Sequence, residues 1–171
     1  MTKYINIYGG PGAGKSTTAA AVFVEMKQRR QSVELVTEVA KDFVWENRST
    51  TLAIQPYVTI KQFRNLYRLK GKVDYVISDS PVLLGCVYAD LYAPDLPKSY
   101  HQFIQDLHTQ ELNPSINIML MRTFKYDTTG RYQTEEQAKD IDLRILHYLE
   151  VVGANPIVCT PAEVSNLISN L

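Results

Sequence analysis

The residues best suited to chemistry stand near the amino end, where Gly9-Gly10-Pro11-Gly12-Ala13-Gly14-Lys15-Ser16-Thr17 fits the pattern G-x-x-x-x-G-K-[ST] of a P-loop. Glycines let the backbone turn so that successive N–H groups face one anion, and the amino end of a following helix adds its partial positive charge. The backbone of Gly10, Pro11, Gly12, Ala13 and Gly14 is therefore expected to cradle a nucleoside triphosphate such as ATP. Lys15 would reach its outer phosphates, Ser16 would ligate Mg2+, and Thr17 would complete the cradle. An incidental glycine-rich turn is the alternative, but every position of the pattern is filled, with an apolar run before it and helical spacing after it.

Two carboxylates follow apolar runs farther along. Asp79 ends Tyr75-Val76-Ile77-Ser78, in the manner of a Walker B strand, and is expected to bind the magnesium directly or through water. Asp79-Ser80-Pro81 also reads as a helix start, which leaves an N-cap role open. Glu38 follows the run Val33 to Thr37, where a carboxylate could take the proton of an attacking hydroxyl; an exposed acid in the first turn of a helix is the other reading. Asp42 and Glu46 extend an acidic stripe from Glu38 that could equally be solvated surface.

Cations come in two groups. Arg122, Lys125 and Arg131 lie in a polar stretch containing Gly130, ahead of helical sequence. They read as a lid in which Arg122 and Arg131 would neutralise charge on a transferring phosphoryl group, or else as a basic surface loop. Lys61, Arg64, Arg68 and Lys72 recur at helical spacing with Phe63 and Tyr67 between them, a face fit for nucleic-acid phosphates or simply for water. His101, His108 and His147 have no metal-ligand spacing and read as structural.

Five apolar runs must position these groups: Tyr4 to Tyr8, Val33 to Thr37, Tyr75 to Ser78, Ile116 to Met121 and Ile157 to Cys159. They do not alternate polar with apolar, as strands covered on both faces do not. Helical spacing separates them over Ser16 to Arg30, Ile54 to Lys70, Lys98 to Gln110 and Thr134 to Leu149, and a last helix runs from Pro161 to Asn170. Thr134 and Thr160 each open a capping box. The expectation is an α/β P-loop NTPase of three layers, a five-stranded parallel sheet flanked by helices and a short lid, in one P-loop domain over residues 1–171. With 171 residues, 45% of them hydrophobic, the chain can fill a core without metal or disulfide, and Cys86 and Cys159 form no CxxC pair. Eighteen basic residues balance eighteen acidic ones, which excludes a global basic field. No run approaches the length of a membrane span, and a cytoplasmic protein without a membrane partner is expected.

With these residues in place, the chain resembles the P-loop nucleoside and nucleotide kinases, in particular thymidylate-kinase-like proteins of bacteriophages and, among them, 5-hydroxymethyluracil DNA kinases. The resemblance rests on the stretch from Tyr8 to Ala20, on Val33 to Glu38 with Ala40-Lys41-Asp42 and Trp45-Glu46, and on Gly71 to Pro81. Deoxyribonucleoside kinases are similar in Thr37-Glu38, in Trp45, and in Ile54-Gln55-Pro56-Tyr57-Val58-Thr59, where Ile54 replaces an aromatic and Pro56 is an intrusion. The Asp79-Ser80 pair lacks the arginine that this family places between its acid and serine. The resemblance implies that Glu38 is the general base, that Gln55 bonds a pyrimidine edge, and that Trp45 and Tyr57 line the acceptor pocket; Asp42 of the acidic stripe and Arg64 of the basic face are further candidates for acceptor contact. It implies ATP- and Mg2+-dependent phosphoryl transfer to a primary hydroxyl, first of all that of 5-hydroxymethyluracil in phage DNA on the route that hypermodifies thymidine. A free nucleoside or nucleoside monophosphate is a second acceptor, and a P-loop ATPase or switch that transfers to water is a third reading. A homodimer is possible within this group.

Overall fold

The computed structural model describes residues 1–123, 125–126 and 133–169. Five strands, β1 (Lys3–Tyr8), β2 (Val33–Val36), β3 (Tyr75–Ser78), β4 (Ser115–Leu120) and β5 (Ile157–Cys159), form one parallel sheet in the order β2-β3-β1-β4-β5. The central strand β1 faces helices on both sides, which is why it reads as an unbroken apolar run. Alternation along it sorts the layers. Ile5 and Ile7 point to one face, where they pack with Val22 and Met26 of α1 (Lys15–Gln28) and Val164 of the last helix. Tyr4 and Tyr8 point to the other. Asn6, buried in mid-strand, donates to Asn117 Oδ1 at 3.0 Å, and Asn117 donates onward to the Ala154 carbonyl at 2.8 Å, so the polar pair sits in the sheet without an open donor on either amide link.

The expected strands and long helices are present, with ends moved by a few residues. Between them lie three helices that the periodicity did not announce: α2 (Val39–Trp45), α3 (Ser49–Leu52) and α5 (Leu84–Tyr92). The first two are too short for a periodic signal, and α5 begins at apolar Leu83-Leu84 with no side-chain cap. Helix α4 (Gln55–Tyr67) starts with proline in its first turn and stops before Arg68. Lys72 therefore lies beyond the helix, and the basic stripe is shorter than its spacing implies. Helices α6 (Lys98–Glu111) and α7 (Glu135–Val151) cover the Tyr4 face with α4 and α5, while α8 (Pro161–Ile168) joins α1 on the other. Both capping boxes form, at Thr134 and Thr160. Among the described residues no helix is long and apolar enough to cross a membrane.

The cap on α7 matters because that helix delivers side chains to the loop after β1. Thr134→Ala removes the acceptor for the Gln137 N–H and is expected to lower unfolding stability by about 1 kcal/mol, read as a reduced urea midpoint at unchanged m-value.

Candidate active site

In a parallel sheet the carboxyl ends of the strands converge on one edge, and here they meet around the loop after β1. Gly12 (φ 77°) and Gly14 (φ 91°) take left-handed backbone that other residues resist, and they swing the chain into α1. Lys15, Ser16 and Thr17 fall in the first turn of α1, whose N–H groups have no partner within the helix. The Lys15 ammonium donates to the Gly10 carbonyl at 3.1 Å. Burial pulls its pKa below the ordinary lysine value, against the opposing pull of Glu38, Asp79 and Asp142.

Asp79 follows β3, which pairs directly with β1 in the register Asn6 to Ser78. It is 2% exposed and does not cap α5, which begins five residues later. Its Oδ2 accepts the Ser16 hydroxyl at 2.6 Å, while Oδ1 is buried without a partner among the described residues. An open carboxylate oxygen beside a serine oxygen is a fit for Mg2+, which takes hard oxygen ligands and completes its shell with phosphate and water. No cluster of three or more His, Cys, Asp or Glu suited to a metal occurs among the described residues, so an ion here would lean on those added oxygens. His108 is buried, and burial alone pushes its imidazole pKa down to about 4.

Glu38 is the backbone N-cap of α2, partly buried and near Lys15. Loss of water raises its carboxyl pKa above the usual 4.5; Lys15 and Lys41 pull it back down, and Asp79 pushes it up. Lys15, Ser16 and Glu38 edge a cleft of about 1360 Å³ that runs on to Trp45 and Gln55, and across to Tyr88 and Gln137, and Asp79 is joined to it through the Ser16 hydroxyl.

Other expected residues fall differently. Trp45 lines the cleft but is 65% exposed. Gln55 also lines it, buried, its amide donating to the Leu52 carbonyl at 2.9 Å. Asp42, Tyr57 and Arg64 are exposed and do not line it; Tyr57 packs against Phe43 instead, with ring centroids 6.0 Å apart. Lys61, on the expected basic face, sits 4.6 Å from the Phe43 ring centroid. Arg122 follows β4 and does not line the cleft; its guanidinium is bonded to the Pro11 carbonyl and Asp142. Arg131 lies outside the described residues.

Three residues escape the sequence reading. Gln62 of α4 lines the cleft and accepts the Val39 N–H at 3.0 Å, next to Glu38, while its buried Nε2 has no partner among the described residues. Thr59 donates to the Gln55 carbonyl and accepts from the Tyr100 hydroxyl at 2.8 Å. Asp142 of α7 touches the loop itself. Each looks like an ordinary polar helix residue, and only tertiary approach gives it a role.

Residues 4–166 match the family model described as AAA domain. No curated protein matches the chain in sequence. Among solved structures, a deoxyadenosine kinase from M. mycoides with the products dCMP and a flexible dCDP bound superposes with a TM-score of 0.63 at 14% identity, over 98% of this chain and 100% of that one. The same enzyme with bound dATP gives 0.59 at 17% identity, over 98% of each. A NadR protein in complex with NR gives 0.60 at 14% identity; 92% of this chain is covered, and 45% of that one. At these identities the likeness is one of fold, a P-loop nucleoside-kinase-like sheet with its helices. Running over nearly the whole chain, the sequence match makes this protein a member of the AAA domain family.

Proposed function

We propose that the protein is an ATP- and Mg2+-dependent kinase that phosphorylates an alcohol, with the hydroxymethyl group of 5-hydroxymethyluracil in DNA as its leading acceptor. The observation that carries the reading is the convergence of Lys15, Ser16 with Asp79 bonded behind it, and Glu38 at one end of a cleft that continues past Trp45 and Gln55. A hydrolase needs the first three groups; the long continuation is room for a second substrate. The DNA acceptor is supported by the sequence resemblance and by the exposed Arg64 and Arg68 at the carboxyl end of α4. A base in duplex would have to leave the stack to enter, at a cost of a few kcal/mol.

The chain's own residues divide the work. Loop amides and Lys15 hold the triphosphate, while Ser16 and Asp79 hold the ion. Magnesium, when bound, offsets charge on the outer phosphates. Glu38 accepts the proton of the acceptor hydroxyl as that oxygen forms its bond to the γ-phosphorus. The bond from γ-phosphorus to the bridging oxygen breaks, and ADP leaves. Placement and fixed charge supply most of the acceleration.

A free deoxynucleoside or nucleoside monophosphate is a second acceptor class, favoured by the buried amides of Gln55 and Gln62 on the cleft wall and by the shared fold with deoxyadenosine kinase. Following labelled phosphate from ATP separates the readings. Label in hydroxymethyluracil DNA is the expected result; label in thymidine or thymidylate selects the second class, and free phosphate regardless of acceptor identifies an ATPase and refutes the kinase.

Two variants check the roles. Lys15→Ala should cut transfer by roughly 10²–10³-fold with the fold intact by circular dichroism, and near-normal turnover would remove the site. Glu38→Gln should lose on the order of 10²–10⁴-fold in transfer while keeping ATP affinity.

The Glu38 pKa also predicts a pH profile. A base must be ionised, and this carboxyl is held above 4.5, so kcat/KM should fall as pH drops through a value higher than that of an ordinary glutamate. The acid limb should vanish in Glu38→Gln. A limb at the ordinary carboxylate position would assign it to another group.

A further inference from the structure

The loop residues Gly10 and Pro11 are gripped from outside the cleft. Asp142 Oδ1 accepts the Gly10 N–H at 2.5 Å, and its Oδ2 accepts from Arg122 Nε. The same guanidinium donates through Nη1 to the Pro11 carbonyl at 2.8 Å and through Nη2 to the Ala138 carbonyl at 3.0 Å. Both side chains are mostly buried, at 14% exposure for Arg122 and 17% for Asp142, so the pair is shielded from the screening that weakens surface ion pairs. Arg122 thereby spends its planar fork on the loop and on α7.

Gly10 gives a second, independent sign. Its φ is not among the positive values of this loop, and the P-loop pattern allows any residue at its position. Yet a Cβ there would come within 2.7 Å of the Ala138 carbonyl, 2.8 Å of Asp142 Oδ1 and 3.0 Å of Arg122 Nη2. The glycine makes room for the clamp.

We infer that Asp142, acting through Gly10 and Arg122, is a positioning residue for triphosphate binding: it holds the opening of the P-loop in the phosphate-gripping shape before nucleotide arrives. The inference rests on the proposed kinase reading. Losing the clamp leaves the cradle to be ordered at the expense of binding free energy, so the cost appears in affinity for the triphosphate more than in the rate at saturation.

The test uses the full chain, with MgATP affinity by calorimetry, ATP KM and kcat with the acceptor found active, and the thermal midpoint without nucleotide. Asp142→Ala is expected to raise Kd and KM on the order of tenfold, with kcat falling by less than KM rises. Asp142→Asn keeps an oxygen for the Gly10 N–H but loses the charge facing Arg122, and should fall between wild type and alanine. Combining Asp142→Ala with Arg122→Ala should add little to the worse single variant, because both disable one device. A purely structural staple would instead lower the midpoint and the active fraction, leaving KM within about twofold of wild type. That outcome, or fully multiplicative losses, overturns the inference. Should the alanine variant not fold, the asparagine variant decides: an unchanged KM refutes the clamp. Wild-type protein that binds no MgATP would defeat the kinase reading and this inference with it, whereas a wild type and an Asp142→Ala that bind equally well defeat the inference alone.

Discussion

A lysine ammonium drawn partly out of water is tolerated only where opposite charge stands close, and that constraint organises this protein. Lys15 lies within reach of Glu38, Asp79 and Asp142, each delivered by a different element. One follows β2, one follows β3, and one rides on α7. Their meeting depends on parallel strands ending along a single edge, which in turn depends on a central strand apolar enough to be covered on both faces. The same carboxylates would repel a bare triphosphate, which is why an ion beside Asp79 suits the arrangement.

The elements that were legible in the sequence are those with a local signature. The P-loop pattern, the apolar runs and the capping boxes at Thr134 and Thr160 each follow from a few neighbouring residues, and each appears where it was expected. Helices α2, α3 and α5 were not legible. Two are shorter than the window in which a 3.6-residue period shows itself, and the third begins without a polar cap.

Helix α4 was legible as a helix, but which face it buries was not, for a more instructive reason. Its buried face carries Gln55, Thr59, Gln62 and Leu66, while Tyr57, Ile60 and Tyr67 are exposed. Ordinary patterning turns such a helix the other way round, aromatics inward and amides outward. A helix that offers polar groups to a cleft breaks the rule, as functional elements tend to. The family resemblance puts Tyr57 at the pocket and the basic spacing singles out Arg64, yet both are exposed outside the cleft, while nothing in the pattern marks Gln62. Asp142 was hidden similarly, since an acid in mid-helix announces nothing until a glycine loop from residue 10 comes against it.

The strand order has a consequence for how such a protein can diversify. Everything that touches the triphosphate or holds its loop in the proposed reading hangs from β1, α1, β3, Arg122 after β4 and one turn of α7, whereas the far wall of the cleft belongs to α2, α4 and α5. Substitutions along those three helices can remodel what is accepted without loosening the grip on the donor. Lineages can therefore explore new acceptors while the energy-yielding half of the reaction stays under constant selection.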